Sequence, residues 1–352
     1  MSAINKVKIV CEEAYLESVW IKRLLNGLAK ELKKRRIVYE QMVDIKEIFA
    51  DDSVCILGMN SVWTENLIEK CNQSGCIPVV LSCQSKRNMQ GQYHLICSDI
   101  RSTVLKLKDV FTAAGRNRIA LYGSGYLIDL DKDRAENFAH LVSDPSDIYT
   151  NTGNLENCFR SFYPKAARYD AVVCVNGYAA VSLVKKLEKE NSELLEKMVI
   201  LSFEEVLKHS KYNQWLSMVD LNLESYGAVV ITVLEMFELR NDVSEITIKM
   251  NAKVCDIPKK EEESCSYEAE SMQLYEDPEI IHMAKIEQIL RDADDLDHHI
   301  IAMLLDNAKY SDIADSCYMT EGNIKYRVKK YMSICGCKTK KELLELLQEY
   351  LQ

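Results

Sequence analysis

Apolar, β-branched runs alternate with amphipathic segments through the first 255 positions, and then the pattern stops. The runs fall at Val7–Cys11, Ile37–Val43, Val54–Leu57, Ile77–Leu81, His94–Cys97, Arg118–Tyr122, Ala171–Val175, Met198–Leu201 and Met218–Leu221. Between them apolar residues recur at spacings of three and four. Trp20, Leu24, Leu28 and Leu32 form one such stripe, and Ala180, Val184 and Leu187 another. Short continuous apolar runs suit strands buried on both faces, and the stripes suit helices that cover them. This β-α-β-α rhythm predicts a mostly parallel sheet clad in helices. Five of the strands precede residue 115 and the rest follow it. Two doubly wound lobes fit ordinary domain sizes better than one large sheet.

From Asp256 the chain reads differently. Pro258-Lys-Lys-Glu-Glu-Glu-Ser-Cys-Ser has the character of a solvated linker. Helical spacing returns in Pro278–Arg291 through Ile281, Ala284, Ile286 and Leu290, which predicts a connecting helix. The remainder carries no strand signal. Its spacing predicts four short helices at Leu296–Leu305, Tyr310–Cys317, Thr320–Cys335 and Thr339–Tyr350, with Gly336 placed as a helix stop.

Composition narrows the class. A chain of 352 residues holds two or three domains, and 47% apolar with 28% charged residues is the mixture of a soluble globular protein. The apolar runs are far shorter than the ~20 residues that cross a bilayer. The start, Met1-Ser-Ala-Ile-Asn-Lys, lacks the features of a secretory signal. Thirteen cysteines, an odd number, are read as reduced thiols, so a cytoplasmic location is expected. The net charge of −10 is local: Asp256–Asp295 holds thirteen acids against four bases, and the rest is nearly neutral. Overall acidity therefore excludes anion binding at neither end.

Enzyme signatures are missing. Gly123-Ser-Gly125 follows a strand, but Ile128 stands where a dinucleotide fingerprint needs its third glycine. There is no P-loop, nucleophile elbow or paired-histidine helix. Cys335-Gly-Cys337 and Cys71–Cys76 lack a second ligand pair, and the adjacent His298-His299 point to different helix faces. No metal, cofactor or catalytic activity is expected.

The tail carries the strongest signal. Ser311–Cys317 forms a short helix that buries Ile313, Ala314 and Cys317; Tyr318-Met319 makes a turn; Thr320 caps the next helix. That helix turns Ile324, Val328 and Tyr331 inward and exposes Lys325, Arg327, Lys329 and Lys330. A short turn followed by a cationic helix is what insertion into a major groove requires. The arrangement resembles the LuxR-type helix-turn-helix over Tyr310-Ser-Asp-Ile-Ala, Met319-Thr-Glu-Gly-Asn-Ile-Lys-Tyr-Arg-Val and Ile334-Cys-Gly-Cys-Lys-Thr-Lys-Lys-Glu-Leu. Asn323-Ile324-Lys325 stands for the family's Thr-Val-Lys, and its acidic pair is replaced around Asp297-His298-His299. The resemblance implies double-stranded DNA as partner and a DNA-facing set of Thr320, Glu321, Asn323, Lys325, Tyr326, Arg327, Lys329 and Lys330. Glu321, Asn323 and Lys325 lie where base edges are within reach, and Lys329 and Lys330 where phosphates are nearer. Arg327 fits either group. With eight bases and eight acids in 297–352, a helical module that mediates protein association is the alternative.

The first 255 residues resemble the effector-binding domain of LacI-type repressors, which has the periplasmic-binding-protein fold. Three stretches carry this: Arg118-Ile-Ala-Leu-Tyr-Gly with Asp133-Arg134-Ala-Glu-Asn-Phe138; Tyr169-Asp-Ala-Val-Val-Cys-Val-Asn176-Gly-Tyr-Ala-Ala; and Met198-Val-Ile-Leu-Ser-Phe203-Glu204-Glu205. Asn137, Gly177 and Ser202 depart from the family's Gly, Asp and Gly, and the closing strand is reduced to Val254-Cys-Asp. The resemblance implies a cleft between lobes in which Arg134, Asn176 and Glu204 grip a small polar, sugar-like effector. Tyr15 and Trp20, after the first strand, are candidates to stack on it. The expected architecture is an α/β two-lobe domain at 1–255, with two doubly wound parallel sheets, ahead of a small all-α helix-turn-helix domain at 296–352. The first lobe takes 1–115 and 221–243, the second 116–220 and 244–255, and 256–295 is an acidic linker with a connecting helix. A homodimeric, ligand-responsive transcription regulator follows from the two resemblances together, because two half-sites demand two heads.

Overall fold

The computed structural model describes residues 4, 6–16, 18–82, 89–125, 129–142, 144–203, 207, 210–239, 243–254 and 277–351. The first lobe runs β1 (Lys6–Cys11), α1 (Val19–Arg35), β2 (Val38–Met42), β3 (Ser53–Leu57), α2 (Ser61–Gln73), β4 (Val79–Ser82), β5 (His94–Ser98) and α3 (Ile100–Ala113). The second follows with β6 (Ile119–Gly125), α4 (Asp129–Phe138), β7 (Ile148–Asn151), α5 (Leu155–Phe162), β8 (Ala171–Cys174), α6 (Gly177–Asn191), α7 (Glu193–Lys197), β9 (Val199–Phe203) and β10 (Leu216–Asp220). The chain returns to the first lobe as α8 (Tyr226–Leu239) and β11 (Thr247–Met250), then ends the α/β part with β12 (Lys253–Val254) in the second.

Each lobe is built on a six-stranded sheet, ordered β11-β5-β4-β3-β1-β2 and β12-β10-β9-β8-β6-β7. All pairs are parallel except β10 with β12, where Val219 faces Val254. Central strands such as β4, β5 and β8 are buried on both faces, which is why they read as unbroken apolar runs. The edge strand β2 is largely exposed and correspondingly mixed in sequence.

Two differences from the expected lobe composition stand out. Residues 244–255 were expected in the second lobe, but Thr247–Met250 pairs with β5 of the first, so the last crossing comes at Asn251 and Ala252. Strand β7, which no apolar run announces, forms the far edge of the second sheet beside β6. There β6 bulges between Tyr122 and Ser124. Gly123 adopts a left-handed φ of 82° at that point, with Ala179 so close that a Cβ would lie 2.5 Å from it. The glycines of 123–125 thus serve a strand irregularity.

The C-terminal region is helical, as α9 (Pro278–Asp292), α10 (Asp295–Leu305), α11 (Tyr310–Ser316), α12 (Glu321–Cys335) and α13 (Lys340–Leu351). Gly336 ends α12 in the left-handed conformation that a helix stop requires. Apolar faces of these helices join the outer layer of the second lobe in one buried cluster, which runs from Phe159, Tyr178 and Val184 to Ile286, Leu304, Val328 and Leu347. No helix among the described residues is long and apolar enough to cross a membrane.

Candidate functional site

Open α/β sheets bind ligands beyond the carboxyl ends of their strands. In the second lobe, Arg134 on α4 reaches across those ends. It is 1% exposed. Its Nη1 donates to the Val175 carbonyl at 2.7 Å, just past β8, and its guanidinium lies 5.1 Å from the centre of the Phe203 ring at the end of β9. Phe203 in turn packs edge-to-face on Phe138, ring centres 5.2 Å apart. Arg134 therefore ties α4 to two strand ends, whereas the sequence placed it in an accessible cleft. Replacing it with Ala is expected to cost about 2 kcal/mol of stability, the scale of a hydrogen bond from a charged donor. Urea unfolding checks this, and an unchanged midpoint would contradict the buried anchoring.

The other effector candidates are also engaged in the fold. Asn176 is buried and caps α6, its Oδ1 accepting from the Ala179 amide at 2.9 Å. Tyr15 and Trp20 are buried and pack edge-to-face on each other, 6.1 Å between ring centres, so their apolar bodies serve the first-lobe core. Glu204 lies outside the described residues.

Three features at the strand ends escaped sequence reasoning. Glu12, directly after β1, is buried, and its Oε2 accepts from the Met59 and Asn60 amides at 2.8 and 3.0 Å. A carboxylate at the end of the first strand is a positional signal that could have found it. Ser98, ending β5, shares a 2.8 Å hydrogen bond with the Tyr226 hydroxyl at the start of α8. Arg23 on α1 of the first lobe pairs at 3.0 Å with Asp220, which ends β10 of the second. The two side chains retain only 10% and 11% exposure, so this ion pair bridges the lobes out of water. Its partners stand 197 positions apart, beyond the reach of any local pattern.

At the other end of the chain, α11 and α12 are joined by a tight turn in which exposed Tyr318 has φ 54°. Thr320 caps α12, accepting from the Asn323 amide. Ile324, Val328, Tyr331 and Cys335 point inward, while Glu321, Asn323, Lys325, Tyr326, Lys329 and Lys330 are exposed. Lys325 makes a surface pair with Glu321 at 2.8 Å, a weak constraint in water.

Arg327 departs from this face. Its Nη1 donates to Asp294 at 3.2 Å and to Asp297, the reciprocal capping residues that open α10. The Tyr331 hydroxyl donates to the same Asp297. Burial pushes the Asp297 carboxyl up, but these two donors outweigh it and hold the carboxyl below its ordinary value. Arg327, expected among the DNA contacts, thus fastens α12 to the start of α10. The acidic position that the sequence located around Asp297-His298-His299 supplies the anchor.

Among the described residues no cluster of His, Cys, Asp and Glu is arranged to hold a metal ion, and the ten described cysteines are free thiols.

No protein-family model matches the sequence, and no curated protein matches it at a significant level. Solved structures do match. The transcriptional regulator CelR in complex with cellobiose superposes with a TM-score of 0.54 at 11% identity, covering 72% of this chain and 84% of that one. The lac repressor dimer bound to operator and the anti-inducer ONPF gives 0.54 at 10% identity, covering 72% and 93%. A periplasmic solute-binding protein of an ABC transporter from Actinobacillus succinogenes, with bound D-allose, gives 0.53 at 13%, covering 71% and 97%. The two lobes have the LacI-type effector-binding fold. At these identities the likeness speaks to fold alone, and this LacI-type fold is one that periplasmic binding proteins share.

Proposed function

We propose that this chain is a ligand-responsive DNA-binding transcription regulator. A small polar molecule, sugar-like as in the cellobiose and D-allose complexes of the similar structures, binds between the LacI-type lobes. The helices α11 and α12 form a LuxR-type helix-turn-helix whose exposed face meets duplex DNA. No catalytic step belongs to this reading.

The observation that carries it is the division of labour on α12. The apolar positions and Arg327 hold the helix in place, while Asn323, Lys325, Tyr326, Lys329 and Lys330 stand in solvent. A helix fastened on one face and polar, hydrogen-bonding and cationic on the other suits groove insertion. Two copies would bring two such heads to paired half-sites. Exposed Val38, Val43, Phe49 and Val62, on the β2 and α2 side of the first lobe, offer apolar surface for that pairing.

The DNA reading is tested by a salt titration of duplex binding. Replacing Lys329 and Lys330 with Ala is expected to weaken all duplexes alike and to flatten the slope of log K against log salt by about 0.9 per lost phosphate contact. Asn323→Ala is expected to cost roughly 1–3 kcal/mol on the preferred site and to relax one base position. If wild type shows no salt-dependent duplex binding, with or without ligands retained from expression, the helical region is an association module instead.

A further inference from the structure

The second lobe has an outer face that a free sensor domain would leave in water. Every residue of Gly177–Val184, the first two turns of α6, is buried. A helix buried all round is covered on both sides, here by the sheet beneath and by α9 above. Helix α9 contributes Ile280, Met283, Ile286 and Leu290 to that seam. Among the described residues, the apolar cluster that contains α9–α13 takes its remaining members from the second lobe alone.

Most polar links along the seam are built from buried or half-buried groups. Asp277 caps α9 through one oxygen, and with the other it accepts from the Leu155 amide at the start of α5 at 2.6 Å. Glu279 lies between Lys185 and Lys186 of α6, 2.9 Å from the first, and also accepts from the Ser182 hydroxyl at 3.0 Å. Lys185 continues to Glu349 and to the Tyr350 hydroxyl on α13 at 2.8 and 3.0 Å. Buried Glu287 of α9 accepts from the amide of Leu207, in the connection that leaves the carboxyl end of β9. Further along that connection, Ser210 donates to the Tyr350 carbonyl at 2.8 Å and Tyr212 to the Glu349 carbonyl at 2.9 Å. Leu207, Ser210 and Tyr212, which follow Phe203 and its contact with the Arg134 guanidinium, thus rest on α9 and α13.

We infer that the second lobe and α9–α13 form one rigid body, so that α12 moves with the second lobe whenever the lobes change their mutual angle. This deepens the regulator reading, and rests on it for the presence of an effector: ligand in the cleft reorients the DNA-facing helix relative to the first lobe, through the packing of α9–α13 on the second lobe. The link differs from a tether, in which the helical region would tumble independently and respond to ligand only through its partner copy.

Native-state hydrogen exchange of the full chain in increasing urea tests this without ligand or DNA. Amides of α6, α12 and α13 are expected to converge on a common opening with one urea dependence. Glu279→Gln, which removes the carboxylate held by Lys185 and Lys186, is expected to speed exchange at least tenfold in α6 and in α9–α13 together, with α1 and α8 unchanged. Opening of α10–α13 at lower urea while α6 stays protected would overturn the inference, as would a Glu279→Gln effect confined to α9–α13. The result is independent of nucleic acid. A chain that opens as one body yet binds no duplex loses the regulator reading while the rigid coupling stands.

Discussion

Gly227→Ala is expected to destabilise the first lobe by about 3 kcal/mol or more, the upper end of what overpacking costs. Helices α1 and α8 cross at Gly27 and Gly227 with backbone against backbone. A Cβ on Gly227 would lie 2.3 Å from the Gly27 carbonyl oxygen, and one on Gly27 would lie 2.1 Å from the Glu224 carbonyl oxygen. No flexible side chain can yield there, so the helices must part. Parting them would pull α8 from the strands it covers and disturb Asp220, whose link to Arg23 lies a few residues before α8. Circular dichroism melts of Gly27→Ala and Gly227→Ala check this, with Gly322→Ala as the control. At Gly322 a Cβ would meet nothing nearer than the Thr320 hydroxyl at 3.7 Å. Alanine there should leave stability unchanged or raise it by up to about 1 kcal/mol, since it is the better helix former. A melt of Gly227→Ala like that of wild type would refute the close crossing.

Asp297→Ala is expected to cost about 3 kcal/mol, because it leaves a guanidinium and a buried phenol facing an apolar methyl. Asp297 serves three groups: the Asp294 amide in the capping box, Arg327, and the Tyr331 hydroxyl. Its loss should free α12 from α10 and abolish duplex binding even though no exposed residue of α12 has changed. The same site gives a pH dependence. Asp297 titrates below its ordinary 3.8 and Glu279 below its ordinary 4.5, where the nearby lysines overcome the effect of burial. Carboxyls depressed in the folded state contribute stability that is fully present above those ordinary values and is lost as pH falls through the lower folded ones. The helical region should therefore loosen as pH drops below about 4.5 and further below 3.8. Acid titration of Asp297→Asn, which keeps the shape without the charge, should show less of that loss than wild type. An identical acid transition in both would remove Asp297 from the explanation.

What the sequence made legible follows from what periodicity encodes. Apolar, β-branched runs announce strands, so nine strands, exposed β2 among them, were found within a few residues of their ends. Strand β7, Ile148-Tyr-Thr-Asn, is short, half polar and on an edge, and has no such signature. Strand β11 alternates exposed with half-buried positions, so the last lobe crossing was set too early. The five C-terminal helices were legible to within two residues because Thr320 and Gly336 mark the ends of α12 and apolar spacing marks the rest. The candidate sites were less so. Arg134 and Arg327 look alike in sequence, as cations on helices beside functional motifs. Only the fold shows that each reaches a carbonyl or a carboxylate of a distant element, Arg134 through Nη1. The seam was missed: Ala180, Val184 and Leu187 were read as the single apolar stripe of α6, although Gly177-Tyr-Ala-Ala-Val-Ser-Leu-Val has no polar side wide enough to face water.

The measurement that bears most directly on the whole account is selection of genomic DNA fragments by the purified full-length protein, followed by sequencing of the bound pool. The expected result is enrichment of one motif with two half-sites about one helical turn apart, ~10 base pairs, as two α12 helices in adjacent major grooves require. With Asn323→Ala that motif should lose its preference at one base position of each half-site, and with Lys329→Ala it should persist, weakened evenly. A bound pool indistinguishable from the input at low salt would contradict the account.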